Sequence, residues 1–251
     1  MVESLCLGNW QWFDYTEVES TNDEALRLAD TFPEKDKTVI TAQHQTKGRG
    51  RRGRSWIGQE GNLFMSLLFP WHSAESGALV FIVSLALLQT VKVLKPQADV
   101  CLKWPNDVLL NGRKISGILL EAAAAGTMVV GIGVNVKASP ENKEILYAVT
   151  SLREAGIDCD RIGFLQFFLA EFDKICTIYE SVGMPKIAEL WKKHAKGIGS
   201  PIVVRLPKSE EKGIFKGIDG NGMLLLATPS GDIKTIGAGD VFFDKDEKKE
   251  E

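Results

Sequence analysis

Five cations, Lys47, Arg49, Arg51, Arg52 and Arg54, stand among three glycines in QTKGRGRRGRSW, residues 45–56. Like charges this close repel one another, and glycine at this density disfavours a helix. The stretch reads in three ways: a solvated turn, a nucleic-acid contact of the arginine–glycine kind, or a loop that clamps an anion. In the third, glycines let backbone N–H groups approach a phosphate while guanidinium groups neutralise it. The P-loop pattern GxxxxGK[ST] is absent. A strand pattern leads in and Trp56 closes the segment, which fits a bare solvated turn poorly.

Four further segments carry polar groups at restrained positions. In KWPND, residues 103–107, Lys103, Asn106 and Asp107 surround a proline turn. Asn and Asp in such turns either bond their own backbone or face a ligand. Lys114 follows the Asn111-Gly112 turn in GRKISGILLE, where Gly117 interrupts an apolar run. A glycine inside a strand often marks close approach by a ligand or another backbone. GIGVNV, residues 131–136, contains Asn135 but lacks the third glycine and following helix of a dinucleotide fingerprint. VESTND offers Ser20, Thr21 or Asn22 as the N-cap of a helix over EALRLAD. A helix start also presents free N–H groups to a ligand.

The elements that position these segments follow from the hydrophobic pattern. Strands are expected over 39–43, 62–69 and 127–136, a helix over 77–95, and a hairpin at Asn111-Gly112. This is a mostly antiparallel sheet with covering helices rather than an alternating βαβ series. A long amphipathic helix covers 161–181, and a shorter one runs from Pro185 to about Ala195. From Gly197 short strands alternate with glycine and polar turns, which suggests a barrel-like module of about fifty residues after a linker near 195–199.

A chain of 251 residues with 44% hydrophobic and 25% charged residues can bury a full core. Its net charge of −3 argues against a general nucleic-acid binder. Cys6, Cys101, Cys159 and Cys176 form no CxxC pair, and with three scattered histidines they leave no legible metal cluster. A reducing, cytoplasmic setting follows. The N-terminus has no basic region followed by an apolar core. The apolar run in GALVFIVSLALLQTVKVLK is too short to span a bilayer, so no membrane partner is expected.

Taken in order, ESTN, QTKGRGRRGRSW, KWPND, GRKISGILLE and GIGVN resemble the motifs of the biotin protein ligases, from about residue 10 to the C-terminus. The resemblance implies an α+β fold. Residues 1–196 would form a mixed, mostly antiparallel sheet with flanking helices, like the class II aminoacyl-tRNA synthetases, and residues 197–251 an SH3-like β-barrel. It also implies that ATP activates biotin to biotinyl-5′-AMP. The biotinyl group then passes to a lysine of a biotin carboxyl carrier protein, as in acetyl-CoA carboxylase. A lipoate–protein ligase, from a sister family of the same fold, is the alternative.

By the same resemblance Ser20, Thr21, Asn22 and Gln45 bind the ureido ring, while Trp56, Gly117 and Ile118 wall the apolar part of biotin. Gly48, Arg49, Gly50, Arg51 and Lys114 surround the carboxylate and α-phosphate. Arg51, Lys103, Asn106, Asp107, Lys114 and Asn135 contact ATP or the adenylate. Lys114, Arg49 and Arg51 are the expected catalytic residues, and Arg52 and Arg54 are left to the loop's outer face. Mg²⁺ is expected with ATP and without a dedicated protein site. Asp107 either assists that ion or accepts the proton from the incoming lysine. Where some family members stack a tryptophan on adenine, this chain has Val149, with Tyr147 nearby. Nineteen residues precede Ser20, too few for the helix-turn-helix of repressor relatives, so no DNA partner is expected. The central sheet leaves an edge either for a homodimer or for docking of the carrier.

Overall fold

The structure, a computed structural model, describes residues 4–29, 37–71, 75–123, 126–140 and 148–243. It opens with a hairpin that the sequence reading did not anticipate, β1 (Ser4–Leu7) and β2 (Trp10–Val18), turning at Gly8 with φ +59°. The alternation in WQWFDY explains it, because Trp10 and Trp12 face inward and are buried. Helix α1 (Thr21–Ala29) lies between β2 and β3 (Lys37–Gln45), which pair in parallel. Every other neighbouring pair in the large sheet is antiparallel. The remaining strands are β4 (Leu63–Pro70), β5 (Val100–Lys103), β6 (Asp107–Leu110), β7 (Arg113–Ala122) and β8 (Thr127–Val134). The strand order is β1-β2-β3-β4-β8-β7-β6-β5.

Strand β4 is buried along both faces from Leu63 to Phe69, which accounts for its unbroken apolar sequence. Helix α2 (Ala78–Leu94) is apolar nearly all round because it lies between the sheet and helices α3 (Arg161–Val182) and α4 (Met184–Lys193). Trp10, Phe69 and Phe172 meet edge to face with centroids 5.6–6.1 Å apart and lock α3 to the sheet. Asp160 caps α3 by accepting from the Gly163 N–H at 2.7 Å. Pro185 lies in the first turn of α4, where its missing N–H costs nothing. Among the described residues no helix is long and apolar enough to cross a membrane.

The C-terminal strands are β9 (Pro201–Arg205), β10 (Glu210–Ile218), β11 (Leu224–Ala227), β12 (Ile233–Ile236) and β13 (Asp240–Phe243). They form an antiparallel sheet of order β12-β11-β10-β9-β13. The outermost strands, β12 and β13, do not pair with each other among the described residues.

The segment expected to be a linker is hydrogen-bonded rather than free. The Leu102 N–H donates to the His194 carbonyl and the Lys196 N–H to the Leu102 carbonyl, both at 2.8 Å, so this segment extends the β5 edge. Buried residues of both sheets belong to one continuous hydrophobic core. The turn between β10 and β11 reaches back to the large sheet: Trp104 Nε1 donates to the Gly222 carbonyl at 3.1 Å.

Gly222 has φ +79°, and a Cβ there would lie 2.2 Å from the Phe81 ring. Gly222→Ala should therefore destabilise the protein by about 2–4 kcal/mol, combining left-handed backbone strain with overpacking. Urea denaturation measures this, and a change within about 0.5 kcal/mol, as for an ordinary surface substitution, would contradict the docking described.

Candidate functional site

A cavity of about 480 Å³ opens over the face of the large sheet at β7 and β8. Around its rim lie the start of α1, the basic loop, the KWPND turn and β13 of the small sheet. Of the residues singled out from the sequence, Ser20, Thr21, Asn22, Gln45, Arg49, Gly50, Arg51, Trp56, Lys103, Asn106, Asp107, Lys114, Gly117, Ile118 and Asn135 all line it, as does Val149. Gly48 does not. It lies behind the lining, where the Trp56 N–H donates to its carbonyl at 2.9 Å and a Cβ would stand 2.6 Å from the Trp56 carbonyl oxygen. Tyr147 is outside the described residues.

The glycines of GIGVNV make the floor possible. A Cβ on Gly133 would fall 2.2 Å from the Trp56 ring, and one on Gly131 would fall 2.3 Å from Asn22 Oδ1. Gly117 is opposite Gly133 in the β7–β8 pair, with Trp56 and Lys114 both just above it. These glycines accommodate side chains from distant parts of the chain, which no reading of a lone GxG supplies.

One end of the cavity is lined by neutral polar groups. Ser20 immediately precedes α1, and its carbonyl accepts from the Glu24 N–H. Gln45 Oε1, at the end of β3, accepts from the Thr21 N–H at 2.8 Å and from its hydroxyl at 3.2 Å. Ser66 supports both neighbours: its hydroxyl is 2.8 Å from that of Thr21 and 2.5 Å from Asn22 Oδ1. Asn22 Nδ2 in turn donates to Glu121 at 2.5 Å. Sequence reasoning missed Ser66 and Glu121. The signal for Ser66 was present, since it is the one hydroxyl inside the apolar strand LFMSLLFP.

The other end is cationic, and nearly every cation has an internal carboxylate. Arg49 donates to Asp23 at 2.6 Å and to Glu121 at 3.0 Å, tying the loop to α1 and β7. Lys114 Nζ is 2.6 Å from Asp107 Oδ1. Arg52 and Arg54 bond the two oxygens of Asp240 at 2.9 and 2.8 Å. Arg51 differs: its Nη1 donates to Asn106 Oδ1 at 3.1 Å, and among the described residues no carboxylate stands within ion-pairing distance of it. Burial lowers its pKa from the ordinary arginine value despite the nearby charges of Asp240 and Asp107, although a guanidinium remains charged at neutral pH.

The KWPND turn faces the cavity rather than closing on itself. Asn106 Nδ2 donates across to the Ile118 carbonyl at 2.7 Å, and Asp107 serves Lys114. Asp219 shows the local alternative in the same protein, accepting from the N–H groups of Asn221 and Met223. The basic loop is a closed hairpin. The Gly50 N–H donates to the Arg54 carbonyl at 2.6 Å, Arg49 bridges to Ser55, and Arg52 and Gly53 turn the chain at φ +57° and +73°. Lys114 is fixed by its backbone, which exchanges hydrogen bonds with Ala148 and Thr150.

Two buried polar atoms at the site, Trp56 Nε1 and Asn135 Oδ1, have no hydrogen-bond partner among the described residues. Leaving such groups unpaired costs about 1–3 kcal/mol each. The arrangement suits a ligand with a neutral hydrogen-bonding head, an apolar middle and a strongly anionic end. No three acidic, cysteine or imidazole side chains converge on a metal position among the described residues, and Asp107 is committed to Lys114.

Comparison with known proteins bears on what that ligand is. Residues 15–137 match the Biotin/lipoate A/B protein ligase family, and residues 197–244 match the Biotin protein ligase C terminal domain. A biotin–[acetyl-CoA-carboxylase] ligase of Paracoccus denitrificans is 37% identical over 237 residues, covering 90% of this chain and 98% of that protein. A bifunctional ligase/repressor of Bacillus subtilis is 36% identical over 89% of this chain and 71% of its own length. The solved structure of the Aquifex aeolicus biotin protein ligase in complex with biotin and ATP superposes with a TM-score of 0.79. It is 29% identical and covers 94% of this chain and 98% of that one.

The ion pairs at the rim have a testable pH dependence. Burial alone would raise the Asp240 carboxyl, but the hydrogen bonds and charges of Arg52 and Arg54 outweigh it and hold the pKa below the ordinary 3.8. Arg51 and, across the β9–β13 pair, Arg205 add positive charge nearby. Folding thus favours the ionised form. Its stabilisation is complete above 3.8 and is lost as the pH falls through the lower, folded value. The stability difference between the wild type and Asp240→Asn should be constant from neutral pH down to about 5 and shrink in stronger acid. Urea titrations at a series of pH values measure it, and a difference that grows on acidification would contradict the assignment.

Proposed function

The chain belongs to the biotin protein ligase family, and we propose that it activates biotin with ATP and transfers the biotinyl group to a lysine of a biotin carboxyl carrier protein. A biotin carboxylate oxygen attacks the α-phosphorus, a P–O bond to the β-phosphate breaks, and pyrophosphate leaves. The amine of the carrier lysine then attacks the acyl carbon of biotinyl-5′-adenylate. An amide forms, the acyl–oxygen bond breaks, AMP departs and the amine proton passes to solvent or a base.

The observation that carries this reading is the half-buried guanidinium of Arg51, which faces the cavity beside Lys103 and Lys114 with no carboxylate at ion-pairing distance among the described residues. A carboxylate and a polyphosphate repel each other, and fixed cations in a water-poor site offset that repulsion. We assign Arg51, Lys103 and Lys114 to the phosphates and the biotin carboxylate. Asp107 holds Lys114 at 2.6 Å until the ligand arrives. Arg49 already bridges Asp23 and Glu121, so its part is to hold the loop against α1 while Gly50 lets the backbone approach.

The ureido head of biotin matches the polar set of Ser20, Thr21, Asn22 and Gln45, with Ser66 fixing two of them from behind. Trp56 and the β7–β8 floor at Gly117 wall the apolar ring and tail, and Asn106 and Asn135 face the adenylate. Mg²⁺ accompanies ATP and is held by phosphate and water rather than by a protein cage. Lipoate has no ureido group to engage the polar set, which disfavours the lipoate alternative.

Pyrophosphate exchange into ATP tests the proposal: it should depend on biotin and not on lipoate, and lipoate dependence would overturn it. Lys114→Gln should slow exchange by about 10²–10³, the usual effect of removing one preorganised donor. Arg51→Gly should let the activated intermediate escape, seen as AMP released without carrier. Exchange unaffected by the first substitution, or retention unaffected by the second, would count against the assigned roles.

A further inference from the structure

The two arginines that the proposed chemistry leaves over, Arg52 and Arg54, converge on one carboxylate from the other sheet. Asp240 opens β13 and lines the rim of the cavity, with only 17% of its side chain exposed. Its oxygens are shared out, Oδ2 to Arg52 Nη1 at 2.9 Å and Oδ1 to Arg54 Nη2 at 2.8 Å. Arg52 Nη1 also reaches the Arg205 carbonyl at 3.3 Å, on the strand paired with β13.

These contacts act on Arg51 through the backbone. The Arg54 N–H and Nε both donate to the Arg51 carbonyl, at 3.2 and 3.3 Å. The Gly50 N–H donates to the Arg54 carbonyl, so Arg54 fixes the Arg49–Gly50 peptide as well as the Arg51–Arg52 peptide. The turn is unfavourable on its own, because Arg52 sits at φ +57°, a left-handed conformation that non-glycine residues seldom adopt. A charge-assisted bond on each side of that turn offsets the strain. Asp240 itself is positioned by β13–β9 pairing, opposite Arg205, and Val241 and Phe242 beside it are buried.

We propose that Asp240 is a positioning residue for the first half-reaction: it latches the basic hairpin to the C-terminal sheet, keeps Arg51 directed at the phosphates, and thereby retains the activated intermediate. It touches neither reacting atom and acts through Arg52 and Arg54. The proposal rests on the function given above and adds to it a role for the small sheet in holding the intermediate.

The test uses the full chain with biotin and ATP and no carrier, following AMP release beside biotin-dependent pyrophosphate exchange. Asp240→Asn should release AMP at least about tenfold faster per exchange event, because it removes the charge that both arginine contacts share. Asp240→Glu should restore most of the retention. Arg52→Gln with Arg54→Gln should leak like Asp240→Asn, and adding Asp240→Asn to that pair should produce no further increase. A merely structural role would lower the melting temperature without changing the ratio of AMP release to exchange. Retention unchanged in Asp240→Asn, or leakage that multiplies in the triple variant, overturns the latch. Should Asp240→Asn fail to fold, the surface pair Arg52→Gln and Arg54→Gln decides by the same ratio. Wild-type protein without biotin-dependent exchange would overturn the functional reading instead, and the latch with it.

Discussion

Positive charge crowded onto one short loop is stable only where negative charge meets it. Here the compensation is distributed: Asp23 and Glu121 take Arg49, Asp240 takes Arg52 and Arg54, and Glu19 takes Lys47. The pairs are not equal. Lys47 and Glu19 are 68% and 64% exposed, and such a surface pair is worth about 0–1 kcal/mol. Asp107 and Lys114 are 11% and 19% exposed, where removing one partner of an ion pair costs about 3–5 kcal/mol. Among the described residues only Arg51 of the loop arginines is left without a carboxylate at ion-pairing distance; Arg49 and Arg54, which line the cavity with it, are both paired.

The carboxylates come from elements far apart in the chain, so the loop's conformation reports on the whole fold. Asp23 belongs to α1, Glu121 to β7 and Asp240 to β13. Each contact joins the hairpin to a different wall of the cavity. The same economy is visible at the floor, where β7 and β8 carry glycines at the points where Trp56 and Asn22 descend from other elements. Side chains could not approach a flat pleated surface so closely if those positions bore Cβ atoms.

The small sheet is part of this arrangement rather than an appended module. Trp104, beside the cavity, bonds the Gly222 carbonyl, and Lys103 lies 5.7 Å from the ring centres of both Phe242 and Phe243. The hydrophobic core runs from one sheet into the other without a break. A free tether between them would have left the orientation of β13, and hence of Asp240, undefined. The hydrogen bonds of Leu102 to the segment around Ala195 remove that freedom.

Sequence alone determined what local physics dictates. The apolar periodicity of α2 and α3, the Asn111-Gly112 turn and the cationic character of the loop each depend on residues close in the chain. The succession of motifs also pointed to residues that now line one cavity, because each motif keeps its polar groups at fixed spacing. The β1–β2 hairpin was legible in the alternation of WQWFDY and went unread. The pairing of charges was not legible. Which carboxylate meets which arginine depends on separations of 26, 72 and 188 residues, and on a turn that sets β13 against the loop. The roles of the glycines at 131 and 133 were hidden for the same reason, since a space is defined only by the side chain that another element puts into it.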